Sequence, residues 1–161
     1  MGIFAKLATA QHFSAGKYVS PGLYIVEIKK VKSDKTRQGR MFWVVEMKVL
    51  ASSNTQAHLV GTDMSWMTML DQDASFGNIR KFLSVASEIE FEEVGEEQAE
   101  YAISEENPLA GIVLKIVAVN IKTRAGKDFT KVEFHQVGIA DKDLKNPTAL
   151  NAILQAEMMA S

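Results

Sequence analysis

Lys35-Thr-Arg-Gln-Gly-Arg40 and Lys122-Thr-Arg-Ala-Gly-Lys127 are one short loop written twice, and their positions decide the fold. The match extends outward. Phe42, Val45 and Glu46 align without gaps on Phe129, Val132 and Glu133, and Val26-Glu-Ile28 parallels Leu114-Lys-Ile116. Each copy reads as a β-strand, a basic loop with a glycine free to take positive φ, and a second strand. Leu23–Lys32 alternates, with Tyr24, Val26 and Ile28 on one face and Glu27 and Lys29 on the other. Over Arg40–Ala51, Trp43, Val45, Met47 and Val49 share one face, and Phe42, Val44, Glu46 and Lys48 share the other.

Between the copies the period changes. A third strand is expected near Leu59–Leu70, and then Phe76, Ile79, Phe82, Leu83, Ala86 and Ile89 recur at helical spacing, with Asp73 or Ser75 as cap. Asn107-Pro108 closes an acidic stretch. Ile112–Ile121 and Lys127–Val137 form the second hairpin. Asn146-Pro147 opens a last helix with the apolar stripe Leu150, Ile153, Leu154 and Met158. The order strand, strand, strand, helix, strand, strand is that of a mainly β OB-fold, a five-stranded Greek-key barrel with a helix between strands 3 and 4, here with an added C-terminal helix. The division is an N-terminal arm over 1–20, an OB-fold domain over 21–140 with an acidic insertion at 88–106, and a C-terminal amphipathic helix over 141–161. In that fold the strand 1–2 and strand 4–5 loops flank an oligonucleotide-binding face, and the two basic loops fall there, expected on the same side and close together.

At 161 residues the chain is long enough for one self-sufficient core. It has no cysteine, which excludes disulfide scaffolds, thiol nucleophiles and thiolate metal sites and fits a cytoplasmic setting, that of the host if the protein is viral. No apolar run reaches membrane-spanning length, and the first residues do not form a signal peptide, so no membrane partner is expected. The net charge is −2, yet residues 88–106 hold nine Glu and no Lys or Arg. That leaves eighteen cations against eleven acids elsewhere, a net +7 suited to a polyanion. The plain reading of the acidic stretch is a solvated helix and loop.

Single-strand binders combine a cationic groove with aromatic platforms. The candidates are Lys35, Arg37 and Arg40 on the first loop and Lys122, Arg124 and Lys127 on the second. Lys48 and Lys131 extend the basic track, and Phe42 and Phe129 offer faces for base stacking. Catalysis finds no support: His12, His58 and His135 are scattered, and there is no nucleophile elbow, phosphate loop or calcium loop. No enzyme activity, cofactor or metal is expected.

With these residues in hand, the chain resembles the phage-encoded single-stranded DNA-binding proteins of OB-fold type. The likeness rests on Gly22-Leu-Tyr-Ile-Val-Glu-Ile28, on Gly39-Arg-Met-Phe-Trp-Val-Val-Glu46 and on the second basic hairpin, and it covers residues 20–138. It implies a protein that coats single strands during DNA replication and recombination and does no chemistry. Many such proteins end in an acidic tail that recruits partners; this chain instead ends Ala-Glu-Met-Met-Ala-Ser. The rivals are an all-β structural or interaction protein, such as a virion component, and an enzyme with a divergent site. The sequence does not separate DNA from RNA as partner. The C-terminal stripe is expected on the barrel or, slightly favoured, on a second subunit of a homodimer.

Overall fold

A computed structural model of the protein describes residues 17–71, 73–137 and 146–160. Its elements in chain order are β1 (Lys17–Tyr18), β2 (Gly22–Lys35), β3 (Met41–Ser52), β4 (Asp63–Met69) and α1 (Asp73–Ser87), then a 3₁₀ turn at Phe91–Glu93, α2 (Glu96–Ala102), β5 (Val113–Lys122), β6 (Asp128–Gln136) and α3 (Pro147–Ala160). The strands form one curled, half-barrel sheet in the order β1-β4-β3-β2-β5-β6. All neighbours are antiparallel except β1, which runs parallel to β4.

β2 organises the sheet by pairing on both sides, with β3 along most of its length and with β5 over Gly22–Glu27. Its core alternation, Tyr24, Val26, Ile28, skips to Val31 because the register with β3 shifts between Ile28 and Lys30. Such a bulge reverses the facing of every later residue and bends the strand. Beyond β5 the edge of β2 is completed by other groups. Ile28 exchanges backbone hydrogen bonds with Gly111 and Ile112 (2.7 and 2.8 Å). The Asn107 amide then takes the place of a strand residue, accepting from Val31 N–H at 2.8 Å and donating to Val31 O at 2.7 Å.

The main core lies between the sheet and α1. Phe82 is fully buried at its centre, with ring centroids 6.5 Å from Trp43, 6.0 Å from Trp66 and 5.0 Å from Phe134. Burying one such side chain stabilises by roughly 1.5–3 kcal/mol. On the opposite face a second cluster joins Ile25, Ala51 and Val113 to Leu150 and Leu154 of α3. The helix begins as its sequence dictates: Pro147 occupies the first turn, and Asn146 Oδ1 accepts from the N–H groups of Thr148 and Ala149 at 3.0 and 3.3 Å.

Several expectations need adjustment. The C-terminal stripe packs on its own sheet rather than waiting for a second subunit: Leu150 and Leu154 are buried, Ile153 is half-buried, and only Met158 is exposed. The third strand starts at Asp63, because Leu59 and Val60 sit exposed in a loop turned at Gly61 (φ 90°). Of the arm, residues 1–16 lie outside the described residues; Lys17 and Tyr18 pair with Met64 and Ser65, and Val19 enters the core. All nine Glu of 88–106 are exposed on a 3₁₀ turn, a short helix and loops, the solvated arrangement that a charge run predicts. Among the described residues no helix is long and apolar enough to cross a membrane.

Candidate nucleic-acid interface

The repeated loops fold alike, bond for bond. In the first, Gly39 N–H donates to Thr36 O (2.9 Å), Thr36 N–H to Arg40 O (2.8 Å) and Arg40 N–H to Thr36 Oγ1 (3.1 Å). In the second, Gly126 N–H donates to Thr123 O (2.8 Å), Thr123 N–H to Lys127 O (2.9 Å) and Lys127 N–H to Thr123 Oγ1 (3.1 Å). Gly39 and Gly126 take φ of 83° and 80°, where a side chain would be strained. This is the pattern of a turn closed by a glycine bulge. Thr supplies both the turn carbonyl and a hydroxyl clamp, so Thr-x-x-Gly is the structural unit of the repeat. It holds the middle residues, Arg37 and Arg124, out in solvent.

The cations differ in what they already hold. Arg40 makes a bidentate pair with Asp71 (2.7 and 3.1 Å). That hydrogen bond, with the pair's attraction, lowers the Asp71 carboxyl and raises the guanidinium. Lys122 pairs with Asp128 at 2.8 Å and Lys131 with Glu133 at 3.3 Å. Lys131, with His135 behind it, holds the Glu133 carboxyl below its usual range. Lys35, Arg37, Lys48, Arg124 and Lys127 are exposed and, among the described residues, carry no ion pair.

The two aromatics also differ. Phe129 stands 51% exposed, opposite Ile121 on β5. Phe42 is 5% exposed and its neighbour Val44 is also buried, although both point away from the Trp43 face. The alternation gave the facing of Phe42 correctly but not its burial.

The ladder does not set the two tips side by side. Lys35 faces Met41 at one end of β2, while Ala118 faces Gly22 at the other, so β5 runs four residues past the start of β2 before it turns. The distal second hairpin is exposed on both faces, through Val119, Asn120, Ile121 and Lys122. A groove of about 530 Å³ opens between β4, α1 and β6, and of the ten candidate residues it holds Phe129 and Lys131. Among the described residues no group of three or more His, Asp or Glu is arranged to hold a metal. A comparison with protein-family models finds no match, and neither does a comparison with curated proteins.

Proposed function

We propose that the protein binds single-stranded DNA without doing chemistry on it, coating strands exposed in replication and recombination. The observation that carries this reading is the pair of identically built hairpin tips that present Arg37 and Arg124, flanked by Lys35 and Lys127, to solvent. Guanidinium and ammonium groups held off the body on rigid turns suit a flexible phosphate backbone. Phe129, exposed just inside the second tip, adds a platform that tolerates any base.

The architecture supports the same reading. Counting from β2, five strands pair as 3-2-1-4-5, and α1 lies between the third and the fourth. An OB-fold uses these pairings, is only partly closed, and binds oligonucleotides with its strand 1–2 and strand 4–5 loops. On the OB-fold reading, those loops would be the two basic hairpins. The buried Phe42 is better taken as packing, leaving Phe129 as the stacking residue of the pair.

The test is fluorescence-anisotropy titration with an oligothymidylate, repeated across salt concentrations. Tight binding by the wild type that weakens with salt, and falls at least about tenfold in Arg37→Glu/Arg124→Glu, is the expected result. Binding that ignores both salt and the double charge reversal overturns the proposal.

A further inference from the structure

We propose that the groove between β4, α1 and β6 is a base-binding site, into which a single strand passes after crossing the second hairpin. This inference rests on the reading of the protein as a single-strand binder and adds a path to it. The hairpin cations supply contacts to phosphate; the groove supplies what a nucleobase needs. Its lining includes Tyr18, Phe91 and Phe129 as ring surfaces, Lys81 and Lys131 as cations, and Asn78 as a paired donor and acceptor. Tyr18, Asn78 and Lys81 are exposed, so they are accessible to a ligand as they stand. At about 530 Å³ the space has the size of a small-molecule pocket, for which roughly 300–1,000 Å³ is usual.

The groove exists for a reason rooted in the fold. β4 and β6 are neighbours in space, because the rings of Trp66 and Phe134 meet at 5.1 Å. Among the described residues, however, no ladder joins the two strands, and the gap between them stays open over the core. One wall is fixed firmly. The Arg80 guanidinium lies 4.2 Å from the Phe91 ring centroid and donates to Phe91 O (2.9 Å) and Val94 O (3.2 Å), which ties the start of the acidic segment to α1. A preformed wall spares a ligand the cost of ordering it.

Charge and continuity favour a nucleic acid as the occupant. Among the described residues the one acid on the lining is Glu133, and it is engaged by Lys131 and His135. Lys81 faces the groove from α1 with no described partner. Phe129 belongs both to the groove and to the hairpin that carries Arg124 and Lys127, so a strand held at the tip has a continuous route inward along β6.

The experiment compares an oligothymidylate with an oligonucleotide of equal length in which the central residues are abasic. Wild type, Tyr18→Ala and Lys81→Glu are titrated with both, and melting curves confirm that each variant folds. The expected result is that wild type binds the abasic strand at least about tenfold more weakly, as lost stacking predicts. Tyr18→Ala weakens thymidylate binding by a similar factor and leaves abasic binding unchanged, whereas Lys81→Glu weakens both. If both variants bind thymidylate like wild type while Arg124→Glu does not, the groove is overturned and the single-strand reading stands. If wild type binds neither oligonucleotide, both fall together.

Discussion

Phe42 and Phe129 occupy equivalent places in the two halves of the repeat, yet they are expected to fail in opposite ways when truncated. Phe129 is half exposed, so Phe129→Ala should leave the melting temperature nearly unchanged and cost about 1–3 kcal/mol of oligonucleotide binding if the ring stacks one base. Phe42 is 5% exposed, so Phe42→Ala should destabilise the fold by about 3–5 kcal/mol, as buried Phe truncations do. Binding per folded molecule should then be preserved. Melts and titrations on the two variants separate these outcomes, and a Phe129 variant that melts early but binds normally would make that ring structural. His58 carries a second residue-scale expectation. Its ring is buried, accepts from Ser20 N–H at 3.1 Å and meets the Tyr24 ring edge-on. Burial first, then the nearby Lys17 charge, pull its pKa below the ordinary 6.5, with a Tyr18 backbone hydrogen bond opposing them. The unfolded chain therefore binds a proton that the fold resists. The stabilisation is complete above the ordinary value and is lost as pH falls below it. His58→Gln, which keeps an acceptor but cannot titrate, should flatten stability between about pH 7 and pH 5 in denaturant melts. Wild-type and variant curves of equal slope would remove His58 from the acid response.

Among the elements, α3 shows how a helix can be read correctly and its partner missed. Asn146-Pro147 and the apolar stripe announce its start and its buried face. Nothing in that stripe says whether Ile25, Ala51 and Val113 of the same chain or a second copy will cover it. The structure answers through β2, whose Ile25 faces away from Tyr24 and Val26 yet is fully buried. Leu154→Ala should then cost about 2–5 kcal/mol of stability in a single cooperative transition. A loss that depends on protein concentration would point back to a dimer. Strands were legible where alternation is strict, as in β3. They were less so where a bulge shifts the phase, as at Lys29, or where apolar residues sit on an exposed turn, as Leu59 and Val60 do. The repeated loops and the positive φ of their glycine were legible, because a tight turn is local chemistry, but the threonine clamp and the separation of the two tips were not. The groove was not, because Tyr18, Asn78 and Lys81 come from three separate elements and carry no shared spacing. Asn107 lay between these cases. Asn-Pro announces a break, but only the fold brings the amide to Val31, 76 residues away. Asn107→Ala leaves both Val31 backbone groups unpaired, at about 1–3 kcal/mol each where they are buried.

For the whole molecule, charge is divided so that binding strength becomes countable. The nine Glu of 88–106 lie on one solvated segment, and the cations proposed for binding lie on the two hairpins and their strands. Of the eight candidate cations, Arg40, Lys122 and Lys131 already hold carboxylates, which leaves Lys35, Arg37, Lys48, Arg124 and Lys127, with no ion-pair partner among the described residues, to take phosphate. Each phosphate neutralised on a single strand releases counterions, with a slope of about −0.7 in log K against log salt per contact. Five such contacts give an expected slope near −3.5. Arg40 is the internal control. Its pair with Asp71 is surface-exposed and geometrically good, so an incoming phosphate has to compete with a bidentate carboxylate. Asp71→Asn removes that competitor and leaves a neutral amide of nearly the same shape. The variant should bind oligothymidylate more tightly at low salt, with the slope steepening to about −4.2 as a sixth cation joins. Its affinity should converge on that of wild type as salt screens the added contact. A variant whose slope and affinity match wild type throughout would show that Arg40 never meets the strand. At the first tip the binding surface would then be Lys35 and Arg37 without Arg40.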